Sequence, residues 1–305
     1  MNNNGLKGVK MMVRIAAGFG IIMMLFVLIF YVNLLTGGSS WTNDGLLRFE
    51  TMDDLFSYRL AIILLLIWST VNTLICNTAV IMYSMKDDAT FIANKWTLAV
   101  LSISIGGMFT PFILIKLPNT PTSATKNARG TIVKVFGLSW AVSSIISIAT
   151  IGGIYGSLSD QTFVGNQMNI FITLMTVFGV LALVNALSSS LFFLDYGNKQ
   201  LAAGEKGNGF VKAIAVVYTS IITVNLALQF LSSLFSMFSG FNRGNNAFAN
   251  FFNGMFQLTR SLFMMFLIFQ VIKGLWVDRG NQMKFDTYSK WNNNQQKPKQ
   301  VNANY

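Results

Sequence analysis

Polar residues line one side of an otherwise apolar run at residues 60–83, where Ser69, Asn72, Thr73, Cys76 and Asn77 stand at i, i+3, i+4, i+7 and i+8. That spacing puts them on one face of an α-helix. The run is long enough to cross the hydrocarbon core of a bilayer, which takes about 20 residues. Hydrocarbon offers an amide no hydrogen-bond partner, so this face is predicted to look at another helix or at a cavity. Further apolar runs occupy residues 15–35, 96–115, 135–155, 170–194, 213–235 and 257–277. Ser139, Ser143, Ser147 and Thr150 form a stripe on the fourth run of the chain. The fifth carries Thr173 and Thr176, then Asn185, Ser188 and Ser189; the sixth carries Tyr218, Asn225, Gln229, Ser232 and Ser236 along one line. Ala16 with Gly20, and Gly152 with Gly156, are small-residue pairs of the kind that let helix backbones approach closely.

The charges decide how these runs are threaded. Lys7, Lys10 and Arg14 precede the first run, and its length exceeds the roughly 7–15 residues of a signal-peptide core, so it reads as an uncleaved first span. If residues 96–115 also crossed, Lys116, Lys126, Arg129 and Lys134 would emerge outside, in a segment with no acidic residue, against the tendency of basic loops to stay in the cytoplasm. Two arrangements remain. In the preferred one, residues 96–115 dip in and return through a bend from Gly106-Gly107 to Pro111, leaving six spans with both termini cytoplasmic. In the alternative all seven runs cross and the amino terminus is outside. The expected fold is therefore all-α, a polytopic helical bundle of six spans plus one re-entrant or broken segment, or of seven spans.

Between the spans, residues 36–59 are hydrophilic and are expected to form the first external loop. Phe248, Phe251, Phe252 and Phe256 alternate with Asn245, Asn246, Asn250 and Asn253, a pattern compatible with a short helix in the outer headgroup layer or with an Asn-rich loop. Two regions result: a membrane-embedded domain over 1–277 and a disordered, basic cytoplasmic tail over 278–305.

Composition narrows the chemistry. Hydrophobic residues make up 53% of the 305 positions and charged residues 11%, far below the roughly 25% charged of a soluble domain. The net charge is +11, but the basic residues sit beside the ends of apolar runs and make no folded basic face, so a nucleic-acid partner is not expected. There is no histidine and one cysteine, Cys76, which rules out an internal disulfide, a Cys/His zinc site and any histidine-activated nucleophile. Gly137-Leu138-Ser139-Trp140-Ala141 has the outline of a nucleophile elbow but lies on a predicted span without a histidine in the chain. No carboxylate falls mid-span and no phosphate-loop motif is present. The protein is expected not to be an enzyme and to use no metal or other cofactor.

The Asn-, Lys-, Ile- and Phe-rich style of the chain, with Gly106-Gly107-Met108-Phe109-Thr110-Pro111 running into Lys116-Leu117-Pro118-Asn119-Thr120, resembles multi-pass membrane proteins of mollicutes. The resemblance implies a multi-pass membrane protein and gives no residue a role.

Neutral polar groups remain. Asn72, Asn77, Asn185, Asn225 and Gln229 are the candidate binding residues, either as interhelical hydrogen bonds that hold the bundle together or as the lining of a cavity for a neutral or weakly charged solute. The corresponding functions are a small-solute permease or the membrane subunit of a larger transporter in the cell membrane, and, alternatively, a non-transporting scaffold. Expected partners are the lipid bilayer and other membrane subunits, with any small-molecule ligand unspecified.

Overall fold

In hydrocarbon an α-helix closes every backbone hydrogen bond within its own segment, and the apolar runs all become helices. The computed structural model describes residues 3–35, 58–103, 109–117, 123–157, 165–203, 209–239 and 247–276, with ten helices and no strand among them. In chain order these are α1 (Asn3–Leu35), α2 (Tyr58–Ser84), α3 (Asp88–Ala93), α4 (Lys95–Ser102), α5 (Phe109–Ile115), α6 (Ser123–Ser157), α7 (Gly165–Phe193), α8 (Tyr196–Ala203), α9 (Gly209–Ser239) and α10 (Ala247–Trp276). Six of them, α1, α2, α6, α7, α9 and α10, are long and apolar enough to cross a membrane. The fold is a six-span helical bundle. Helix α6 is its axis and packs against α2, α7, α9 and α10, with α4 and α8 at one end.

The apolar run at 96–115 does not cross. It is split into α4, of eight residues, and α5, of seven, each about 10–12 Å long at 1.5 Å per residue and far short of the roughly 30 Å of hydrocarbon. Pro111 sits in the first turn of α5, where its missing N–H removes no intrahelical bond. The two feet of the hairpin are tied together. Lys95 Nζ, at the start of α4, donates to the carbonyl of Leu117, just past α5, at 2.5 Å. Both ends of the segment therefore lie at one end of the bundle, as the preferred threading requires, and seven plain spans do not describe this chain. The expected Gly106-Gly107 bend lies outside the described residues, as do residues 36–57 of the expected loop at 36–59 and the expected tail at 278–305; Tyr58 and Arg59 already belong to α2.

That end of the bundle is also where the basic residues collect. Arg14 on α1 donates through Nε to Ser84 Oγ and through a terminal nitrogen to the Ser84 carbonyl, both at 2.9 Å. Lys10 reaches the Lys86 carbonyl and the Asp88 carboxylate, each at 2.6 Å. The Tyr83 and Thr131 hydroxyls share a hydrogen bond of 3.0 Å between α2 and α6. The short turn from α2 to α3 is capped by Asp87, whose carboxylate accepts from the Thr90 backbone N–H at 2.9 Å. The hydrogen bonding at Thr90 holds the Asp87 carboxyl below the usual carboxylate range.

The Phe/Asn alternation resolves differently from both sequence expectations. Residues from Ala247 onward are the first turns of one continuous 30-residue helix, α10, so Phe248, Phe251, Phe252 and Phe256 form an exposed aromatic strip on a span. They make neither a separate interfacial helix nor a loop.

Candidate functional site

The polar face of α2 meets the serine stripe of α6. Asn72 Oδ1 accepts from Ser139 Oγ at 3.2 Å and from Cys76 Sγ, one turn along its own helix, at 3.4 Å. One turn farther from the basic end on α2, and two turns on α6, Trp68 Nε1 donates to Ser147 Oγ at 3.2 Å. With the Tyr83–Thr131 bond, these contacts form a ladder along the α2–α6 seam. Asn77 is fully buried and donates through Nδ2 to the Thr73 carbonyl at 2.9 Å. It faces α1, where a Cβ on Gly20 would come within 3.3 Å of its amide nitrogen. Gly20 is thus the close-approach member of the predicted Ala16/Gly20 pair, and the fully buried small residue beside it is Ala17, with Ala16 half-buried.

Asn185 belongs to a different seam. Its Oδ1 accepts from the Tyr218 hydroxyl of α9, and its Nδ2 donates to the Leu181 carbonyl at 2.7 Å. The Tyr218 ring stacks on Trp140 of α6 with centroids 5.4 Å apart. Gly137 lets α7 come close: a Cβ there would lie 3.1 Å from Ser189 Cβ and 3.3 Å from the Asn185 carbonyl. Gly137 and Ser139 are two residues apart, about 200° around the helix. Asn185 and Asn72 therefore lie on opposite sides of α6. The Gly137–Ala141 motif is a pair of packing contacts, with Ser139 bonded to Asn72.

Asn225 and Gln229 stand apart from the others. The sequence places Asn225 at mid-span on a polar line and predicts that it turns inward as Asn72 does. In the structure Asn225 is exposed and Gln229 half-buried, and neither hydrogen-bonds another described residue. Among its described members, the line they share with Tyr218 is buried at Tyr218 alone. The five candidate residues are thus not one site: Asn72 and Asn77 serve the contacts of α2, Asn185 serves α7 and α9, and Asn225 and Gln229 are unspent. Thr173 and Thr176 are exposed and bond to carbonyls of their own helix.

Three polar features of the interior could not be read from spacing as contacts, although Tyr218 and Ser143 stood on predicted stripes. The Lys95 clamp is one, with Lys95 only 2% exposed and its ammonium 4.5 Å from the Trp96 ring. The second is the use of aromatic groups to bond across seams, Trp68 and Tyr218 as donors and Tyr83 in a bond shared with Thr131; an aromatic one turn from a polar stripe is the signal that could have shown them. The third is a set of fully buried hydroxyls, Thr97, Thr110 and Ser143, that bond to no described residue. Among the described residues no group of three or more His, Cys, Asp or Glu side chains could hold a metal ion. No protein-family model, no curated protein and no solved structure matches the chain.

Proposed function

We propose that this protein is a non-transporting assembly component of the cell membrane, a scaffold or interaction protein whose polar interior holds its own helices together. One observation carries the reading: the interior carboxamides best placed to bind a solute are used within the bundle, Asn72 by Ser139 and Cys76, and Asn185 by Tyr218. Interhelical bonds of this kind are a principal source of cohesion where lipid removes the hydrophobic drive between helices. The basic end then faces the cytoplasm.

The test is thiol accessibility in a Cys76→Ser background. Single cysteines at Ser139 and Ser143 are expected to resist a small hydrophilic thiol reagent from either side of sealed vesicles. A cysteine at Ala89, exposed on α3, reacts only from the cytoplasmic side. Labelling of Ser139→Cys or Ser143→Cys would sink the assembly reading. It would favour the second one, a small-solute permease or transporter subunit. Support for that second reading comes from the short helices α4 and α5, which do not span, and from the hydroxyls of Thr97, Thr110 and Ser143, which bond to no described residue, since such hydroxyls are places for water, and backbone that does not cross is tolerated beside protein or a wet cavity.

A further inference from the structure

We infer that the far half of α9 pairs with α9 of a second copy of this chain through a seam centred on Asn225. From Ile221 outward, Ile221, Asn225, Leu228, Ser232 and Phe235 succeed one another at steps of four, three, four and three, and all five are exposed. That is the repeat with which two parallel helices keep one seam in contact. An apolar repeat by itself would suit lipid equally well, and Asn225 is what distinguishes this one. It lies one residue past the midpoint of the 31-residue helix, about 24 Å from its start at 1.5 Å per residue, and so at mid-depth in hydrocarbon. Its carboxamide has two donors and an acceptor oxygen, none bonded to a described residue, and leaving them so in lipid is costly.

The chemistry selects the occupant. Two copies inserted with the same topology are related by an axis along the membrane normal, so each seam residue meets its own counterpart at the same depth. A carboxamide both donates and accepts, so Asn225 is complementary to Asn225 without any further group. An asparagine at one seam position is also the feature that fixes register and two-strandedness in paired helices. A foreign helix would need its own polar residue at that depth and register. The seam stops at Tyr218, where the same line of α9 turns into the bundle and bonds to Asn185. This inference rests on the assembly reading for its purpose but not for its geometry.

The experiment is disulfide formation between copies in native membranes, in the Cys76→Ser background, with single cysteines at Ile221, Leu228 or Ala227. Cross-linking needs Cβ atoms about 3.8 Å apart. Ile221→Cys and Leu228→Cys are expected to give covalent dimer, and Ala227→Cys, exposed at the same depth but off the seam, to give none. Adding Asn225→Leu to Leu228→Cys is expected to lower the dimer yield about tenfold, within the range of paired interhelical amide bonds, while Asn225→Gln keeps it. No dimer at 221 and 228, equal dimer at 227, or a yield indifferent to Asn225→Leu would each overturn the inference. If no dimer forms and Ser143→Cys stays unlabelled, the seam falls and the assembly reading survives with another partner. If Ser143→Cys is labelled and the dimer forms, the assembly reading falls and the seam stands.

Discussion

The same six helices are packed differently at their two ends. Toward the basic end they share one core. Val13, Val80, Phe91, Leu98, Ile132, Phe192, Ala215, Ile268 and Leu275 are among its buried members, and the hairpin feet, α3 and α8 fill the spaces between spans. Toward the far end none of the described residues 168–184 of α7 is buried, and on α9 burial stops at Leu226. A small second cluster there, built on Leu60 and Ile151, ties α7 to α2 and α6, with Tyr155 stacked on Phe171 at 4.3 Å. Apolar area does not explain the contrast, because both ends are apolar. In lipid, helices are held by close backbone approach and interhelical hydrogen bonds, and the groups that supply them, Gly137, Gly274, Lys95, Asn185 and the Arg14–Ser84 pair, lie toward the basic end. Where they run out, the small cluster on Leu60 and Ile151 still joins α2, α6 and α7, and most of the remaining apolar side chains are exposed.

Glycine substitution gives the largest expected contrast between the ends. A Cβ on Gly274 would stand 2.3 Å from Trp96 of the hairpin foot, so Gly274→Leu should destabilise by about 3 kcal/mol or more, at or beyond the upper end for overpacking. On Gly156 a Cβ meets nothing within 4 Å, and Gly156→Ala should stabilise by up to about 1 kcal/mol through helix propensity. Thermal unfolding in detergent measures both, and equal losses at the two sites would erase the distinction. Next in size is Lys95→Met. It removes a charged donor from the Leu117 carbonyl and should cost about 1.5–3 kcal/mol, with proteolysis near residue 117 rising before the rest of the bundle opens. The smallest effect separates two asparagines of similar depth. Asn72→Leu should cost roughly 0.6 kcal/mol, the mean for an interhelical hydrogen bond, whereas Asn225→Leu, which loses no bond to a described residue, should leave the detergent-solubilised monomer unchanged.

These asparagines show how far the sequence could be read. Periodicity placed Asn72 on one face with Cys76 and Asn77, and the structure uses that face as a helix contact. The same reasoning turned Asn225 inward, and it failed because the rotation of α9 is set by Tyr218 against Asn185 and by the Trp276 Nε1 bond to Thr223 at 2.6 Å, contacts that come from other parts of the chain. Glycine spacing was half right. Gly20 of the Ala16/Gly20 pair does approach Asn77 closely, but the Gly152/Gly156 pair makes at most an ordinary contact, between Gly152 and Met175, and tight contacts also fall at Gly130, Gly137 and Gly274, which belong to no small-residue pair that the pattern singled out. That residues 96–115 would not cross was the preferred reading because charge carries topological information: a crossing there would have put the basic residues after residue 115 outside, and the structure bears it out with two helices too short to span.

The sequence by itself determined that this is a helical membrane protein and narrowed its threading to six spans with one re-entrant or broken run, or seven plain spans, because hydropathy, length and charge act segment by segment and need no partner. Only the tertiary structure decided which polar groups are used within the bundle and which are left facing outward. A helix's polar face is fixed by its own residues, but what that face meets depends on the rotation, tilt and close approach of the helices beside it, and those follow from side-chain contacts between segments distant in the chain.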